Sequence, residues 1–139
     1  MKKKTIRFGI LTLMMCLMLS TFAFASTASS AYIGYSNAHF TRSGNDVNIY
    51  FSVVGRGMMN EIGVSEIWLY EKNGNAWNWA YTFYASDSNY TADMLSYNTT
   101  AKADHVTYSG FSTKDYLAIL YFYAADNNGS DTIPYYSYS

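Results

Sequence analysis

Nine consecutive residues, Tyr116 to Ala124 (YLAILYFYA), carry no charge, no glycine and no proline, and lead by way of Ala125 into an Asp-Asn-Asn-Gly turn at Asp126 to Gly129. A run of this length bounded by a turn reads as a strand that packs into a core. The turn reads as a hairpin closed at Asn128-Gly129, with Gly129 its structural glycine and a last strand following through "TIPYYSYS". Pro134 has no amide to give a ladder, so that last strand is expected to lie at an edge or to end early. The run also decides how a ring-rich composition is read: as interior filling of a β fold.

The same period recurs upstream. In "DVNIYFSVVG" Val47, Ile49, Phe51 and Val53 fall on one face, and Asn48, Tyr50 and Ser52 on the other, after the turn "SGND". "SEIWLYEKNGNAWNWAYTFYA" breaks at Asn73-Gly74 into two antiparallel strands. "HVTYSGF" adds a shorter strand with Val106 and Tyr108 in phase, and Tyr32 to Phe40 a first one. No window of a dozen residues shows a helical stripe. About seven strands predict an all-β, two-sheet antiparallel sandwich, with a small closed barrel as the alternative. Asp87 to Asn98 is expected to be irregular, a short helical turn or a crossing loop. "GRGMMNEIG", Gly55 to Gly63, is expected to be a strand-connecting loop with Met58 or Met59 tucked over the end of the sandwich.

Residues 1–25 have the order of a secretory signal peptide: Lys2, Lys3, Lys4 and Arg7, an apolar stretch centred on Ile10 to Leu19, and Ala23-Phe24-Ala25 before the expected cleavage at Ser26. This predicts a secreted, extracellular protein with no membrane insertion after cleavage. Ser26 to Ala31 (STASSA) is expected to be a flexible lead-in to a domain at 32–139. Cys16 leaves with the leader, so the 114 remaining residues must be held by their core alone. They keep five basic residues against ten acidic ones, a formal charge of −5. The five are scattered, with no stripe to follow a phosphate backbone, and nucleic acid is excluded as a partner.

"DYLAILYFYAADNNGSDT", Asp115 to Thr132, resembles the F strand, FG turn and start of the G strand in fibronectin type III and related immunoglobulin-like domains. The resemblance implies that Tyr116 is the tyrosine-corner residue, with its hydroxyl bonded to backbone a few residues upstream. It also makes Trp68 a candidate core tryptophan; Ile67 and Leu69 share the opposite face of that strand, and one of the two sets points inward. The longer succession from "TRSGNDVNIYFSVVG" through "AWNWAYTF" to "DNNGSDT" resembles small secreted bacterial proteins of uncharacterised function that carry one such domain. That likeness implies a fold and an address, and no reaction.

Candidate sites follow from the 15 Tyr, 3 Trp and 5 Phe left after the leader. Most rings are expected in the core and on sheet faces. Trp77, Trp79 and Tyr81 are expected on one strand face, spaced roughly 6 to 7 Å apart. With Asn73, Asn75 and Asn78 beside them, they form a candidate carbohydrate platform. His39 and His105 lack metal spacing and read as solvated. No nucleophile elbow, zinc-protease motif or phosphate loop is present, and no carboxylate pair is marked as facing across a cleft. "DNNGSDT" places Gly129 fourth where a calcium loop needs it sixth, so no metal or cofactor is expected. The expected function is a non-catalytic extracellular module, a monomer or weak dimer, whose partner is a protein or a glycan. A secreted antibacterial role is a further reading, prompted by size, leader and the aromatic tail.

Overall fold

A computed structural model describes residues 30–110 and 113–139. The expected leader and residues 26–29 lie outside the described residues. Among those described, six antiparallel strands form one curled sheet with a single helical turn: β1 (Ile33–Ser43), β2 (Asp46–Asn73), β3 (Ala76–Tyr84), α1 (Thr91–Met94), β4 (Leu95–Ser109), β5 (Tyr116–Asp126) and β6 (Gly129–Tyr138). The all-β class is as read from the sequence, and both expected hairpins form, with the first turn at Gly74-Asn75, one residue later than expected.

The arrangement turns on β2, which is 28 residues long and changes partners along its length. Its first part lies between β1 and β4, with Ile49 opposite both Phe40 and Val106. From Glu61 onward β5 takes over the β1 edge, with Ile67 opposite Leu120 and Leu69 opposite Ala118. From Glu66 onward β3 takes over the β4 edge, and β6 extends the sheet beyond β5. The exchange falls in the segment expected to be a loop. Glycines there let the backbone bend inside a strand instead of ending it, so two strands expected to be joined by a loop are one continuous strand, and six are found where about seven were expected.

The phase of β2 records each irregularity. Buried residues are odd-numbered from Val47 to Val53 and at Met59, even-numbered at Ile62 and Val64, and odd-numbered again at Ile67 and Leu69. The second change coincides with the register slip between Val64 and Glu66, because one extra residue turns every following side chain to the other face; the first follows the larger slip between Val54 and Met59. Gly63 sits at this bend, where a Cβ would collide with the carbonyl of Met94. Met59 is buried and Met58 exposed.

The curl brings inward-facing side chains of the two parts of β2 together with those of β5. Ile49, Val53, Ile67, Leu69, Leu120 and Phe122 are all fully buried, each stabilising the fold by roughly 1.5–3 kcal/mol through burial. In β5 the buried set is Tyr116, Ala118, Leu120, Phe122 and Ala124, and the residues between are half-buried on the opposite face. The uncharged run thus has one face in the core and one that is itself apolar. Trp68 belongs to the second kind. Ile67 and Leu69 take the core positions, so the expectation of a core tryptophan is corrected: Trp68 lies half-buried on the outer face of β2.

β4 starts ten residues before the strand expected at His105, directly after α1. β1 and β6 lie beside each other without a ladder, joined through side chains. Tyr135 Oη donates to Asn37 Oδ1 (3.0 Å), and Arg42 Nη2 donates to Ser139 Oγ (2.9 Å). The end of the expected lead-in is fixed to the domain: buried Ser30 donates its hydroxyl to Asp131 Oδ2 (2.7 Å), and its carbonyl accepts from Arg56 Nε (2.9 Å).

Candidate functional site

Residues directly opposite in a ladder point to the same side of the sheet, so the registers define the outer face of β3, β2, β5 and β6 row by row. Tyr70 has Trp79 on one side and Leu117 on the other, with Tyr138 beyond Leu117. Trp68 stands between Thr82 and Ile119, followed by Tyr136. Glu66 stands between Tyr84 and Tyr121, followed by Pro134, while Lys72 and Trp77 close the face at the other end. The result is a broad aromatic surface. Trp79, Tyr138 and Tyr136 are 65%, 63% and 57% exposed, well beyond the scattered single apolar residues of an ordinary surface.

Local bonds hold the rings. Trp68 Nε1 donates to Glu66 Oε2 (2.7 Å), and Trp79 Nε1 donates to Thr82 Oγ1 (3.0 Å). The Trp68 and Tyr121 ring centres are 5.5 Å apart, and those of Trp77 and Tyr138 are 6.1 Å apart at 61°. Lys72 Nζ lies 5.8 Å from the centre of the Trp77 ring. At the Glu66 end the face runs into a shallow depression lined in part by Glu61, Glu66, Tyr84, Tyr97 and Tyr123.

Trp77 and Trp79 share this face as expected from their spacing, and Tyr81 does not. The β2–β3 register slips between Leu69 and Tyr70, leaving Ala80 as the extra residue and putting Tyr81 opposite buried Leu69. Its ring packs 4.8 Å from Phe83, and its hydroxyl lies 3.4 Å from that of Tyr90. That bond, with burial and the charges of Tyr81 and Asp87, raises the Tyr90 phenol above its ordinary pKa. Asn78 is opposite Glu71, on the side away from the tryptophans, and Asn75 is exposed in the turn. The expected asparagine contacts are therefore not beside the indoles. Phenol hydroxyls and Thr82 supply the polar atoms there. Trp68 and Tyr70 were missed, although they show the two-residue spacing, and Tyr136 and Tyr138 of the aromatic tail join the tryptophans on this face.

Gly129 is set by a close approach: a Cβ there would lie 2.7 Å from the hydroxyl of Tyr32. The turn itself is Asn127-Asn128, one residue earlier than expected, with Asp126 Oδ1 accepting from the Asn128 amide (2.6 Å). Tyr116 is fully buried, and its hydroxyl donates to Glu71 Oε2 at 3.5 Å.

On the outer face of β1, β2 and β4 both histidines flank one tyrosine. His39 and His105 stack on Tyr50 with ring centres 5.2 and 4.8 Å away. Asp104 faces the core side, where burial tends to raise its pKa but the Lys102 ammonium (2.9 Å) and the His105 amide outweigh it and hold the carboxyl below its ordinary value. Among the described residues no group of three or more His, Cys, Asp or Glu is placed to hold a metal ion, and no helix is long and apolar enough to cross a membrane. No protein-family model, curated protein or solved structure matches the chain.

Proposed function

We propose that the chain is a secreted, non-catalytic binding module that recognises carbohydrate on the outer face of β3, β2, β5 and β6. The observation that carries this reading is the row of held, exposed rings around Trp79. Indole and phenol faces take the C–H faces of sugars, while the phenol hydroxyls can bond to sugar hydroxyls. The basic, apolar and small-residue order of the first 25 residues supports secretion.

The finer architecture is proposed with it. Counting β2 as two successive strands B and C makes β4, β5 and β6 strands E, F and G, with β3 the neighbour beyond C. The pairings β1–β2–β4 and β3–β2–β5–β6 then follow the order of an immunoglobulin-like, fibronectin type III-like sandwich. This supports kinship with the small secreted bacterial proteins that the sequence resembles.

The test is a glycan array probed with the purified domain and with Trp79→Ala. Glycan signals that disappear in the variant while its fold is retained support the reading. A blank with the wild-type domain, on an array that includes immobilised polysaccharides, refutes it.

A further inference from the structure

The chemistry of the aromatic face narrows its ligand. Resting on the carbohydrate reading above, we infer that the face takes an internal stretch of an uncharged, extended polysaccharide, in preference to an acidic glycan or a chain end.

Charge comes first. An acidic glycan brings carboxylates or sulfates, which need cationic partners when water is displaced. Among the described residues Lys72 is the one base on this face, and it is already shared between the Trp77 ring and Asp115 (3.8 Å). The other bases are engaged elsewhere: Arg56 donates to Ser30 (2.9 Å), Lys102 to Ala92 (2.8 Å), and Lys114 lies 3.4 Å from Glu71. Arg42 lies over the Tyr116 ring at 5.5 Å and donates to Ser139 (2.9 Å). The far end of the face carries Glu66 and Glu61. All ten acidic and all five basic residues outside the leader are described, so the domain as a whole repels anions with a formal charge of −5.

Shape gives the second step. Four strands about 4.8 Å apart, with rows repeating roughly every 6.5 Å along them, make a field about 14 Å wide and 20 Å long. One end meets the Gly74-Asn75 turn and the other a shallow depression, and between them Trp79, Tyr136 and Tyr138 stand more than half exposed. A pocket for a terminal sugar needs a wall to enclose the last ring. An open field of rings favours a chain passing over it, with neutral hydroxyls meeting the neutral hydroxyls of Tyr70, Tyr136 and Thr82.

Retention of the purified domain on insoluble cellulose and chitin, on soluble neutral oligosaccharides and on polygalacturonate tests this, at low and high salt. The expected result is retention on a neutral polymer that is indifferent to salt. Trp79→Ala should weaken it about tenfold, the equivalent of one aromatic contact, with an unchanged thermal midpoint, and Trp79→Tyr should restore part of it. Salt-sensitive binding to polygalacturonate, or a preference for short oligosaccharides rich in ends, overturns the inference and leaves the carbohydrate reading standing. A Trp79-dependent dimer in sedimentation, without glycan binding, overturns both by giving the face to a second copy. So does the absence of binding to any glycan.

Discussion

Ile67 and Trp68 are neighbours on β2 that face opposite ways, and replacing each by Ala separates the core from the outer surface. Ile67 is fully buried between Leu120 of β5 and Phe83 of β3. Truncation there loses transfer energy and leaves a cavity in a packed layer, a cost of about 3–4 kcal/mol. Trp68 is larger but half-buried. Its loss removes a tilted ring contact with Tyr121, about 0.5–1.5 kcal/mol, and a bond to Glu66, about 1 kcal/mol. The space it leaves opens to water, so no cavity cost is added. At about 4 °C per kcal/mol for a domain of this size, Ile67→Ala lowers the melting temperature by roughly 12–16 °C and Trp68→Ala by roughly 6–10 °C. Reversible thermal unfolding followed by circular dichroism reads both. A larger drop for Trp68→Ala refutes the phase of β2 and the assignment of the core with it.

Gly129→Ala forces a methyl against the Tyr32 hydroxyl; it should lower the melting temperature, and Tyr32→Phe in the same chain should recover part of the loss. The Ser30 hydroxyl, aided by the Ala31 and Tyr32 amides, holds the Asp131 carboxyl below the ordinary carboxylate range. The stability this contributes is complete above the unfolded pKa of about 3.9 and is lost as pH falls through the lower folded value. Asp131→Asn should therefore flatten the acid limb of a stability–pH curve, and superimposable limbs would contradict the assignment. Lys102 keeps a charge on the core side of β4, whose outer edge has no strand partner among the described residues. Inward charges of this kind discourage strand addition, so Lys102→Val should raise concentration-dependent light scattering while Lys114→Val does not.

Strands with one face in the core and one in water were legible because their alternation has contrast, as in Val47 to Val53. Contrast fails in two places. On the second part of β2 the solvent face is itself aromatic, so Ile67 with Leu69 and Trp68 with Tyr70 look equally fit for the interior, and only tertiary pairing separates them. In the first half of β4, "LSYNTTAKAD" holds few strand-forming apolar residues because it lies along an edge, with much of its side-chain surface in water. The bend at Gly55 to Asn60 was hidden for a different reason: glycine marks a turn and a kinked strand alike. Tyr81 was misplaced because the slip that leaves Ala80 extra has no glycine or proline to announce it. The candidate face was thus visible at Trp77 and Trp79, and its remaining area emerged only from the pairing of four strands.

One strand running through both halves of the curled sheet has a mechanical consequence. β1, β3, β4 and β5 each hang from β2, so neither half owns a complete set of hydrogen bonds apart from the other. Loosening one half strips partners from the same 28-residue spine that the other needs. β1, β3, β4 and β6 each have a single ladder partner and can peel away one at a time; β2 and β5, which hold the rest of the ladder, come apart only together, as one cooperative unit.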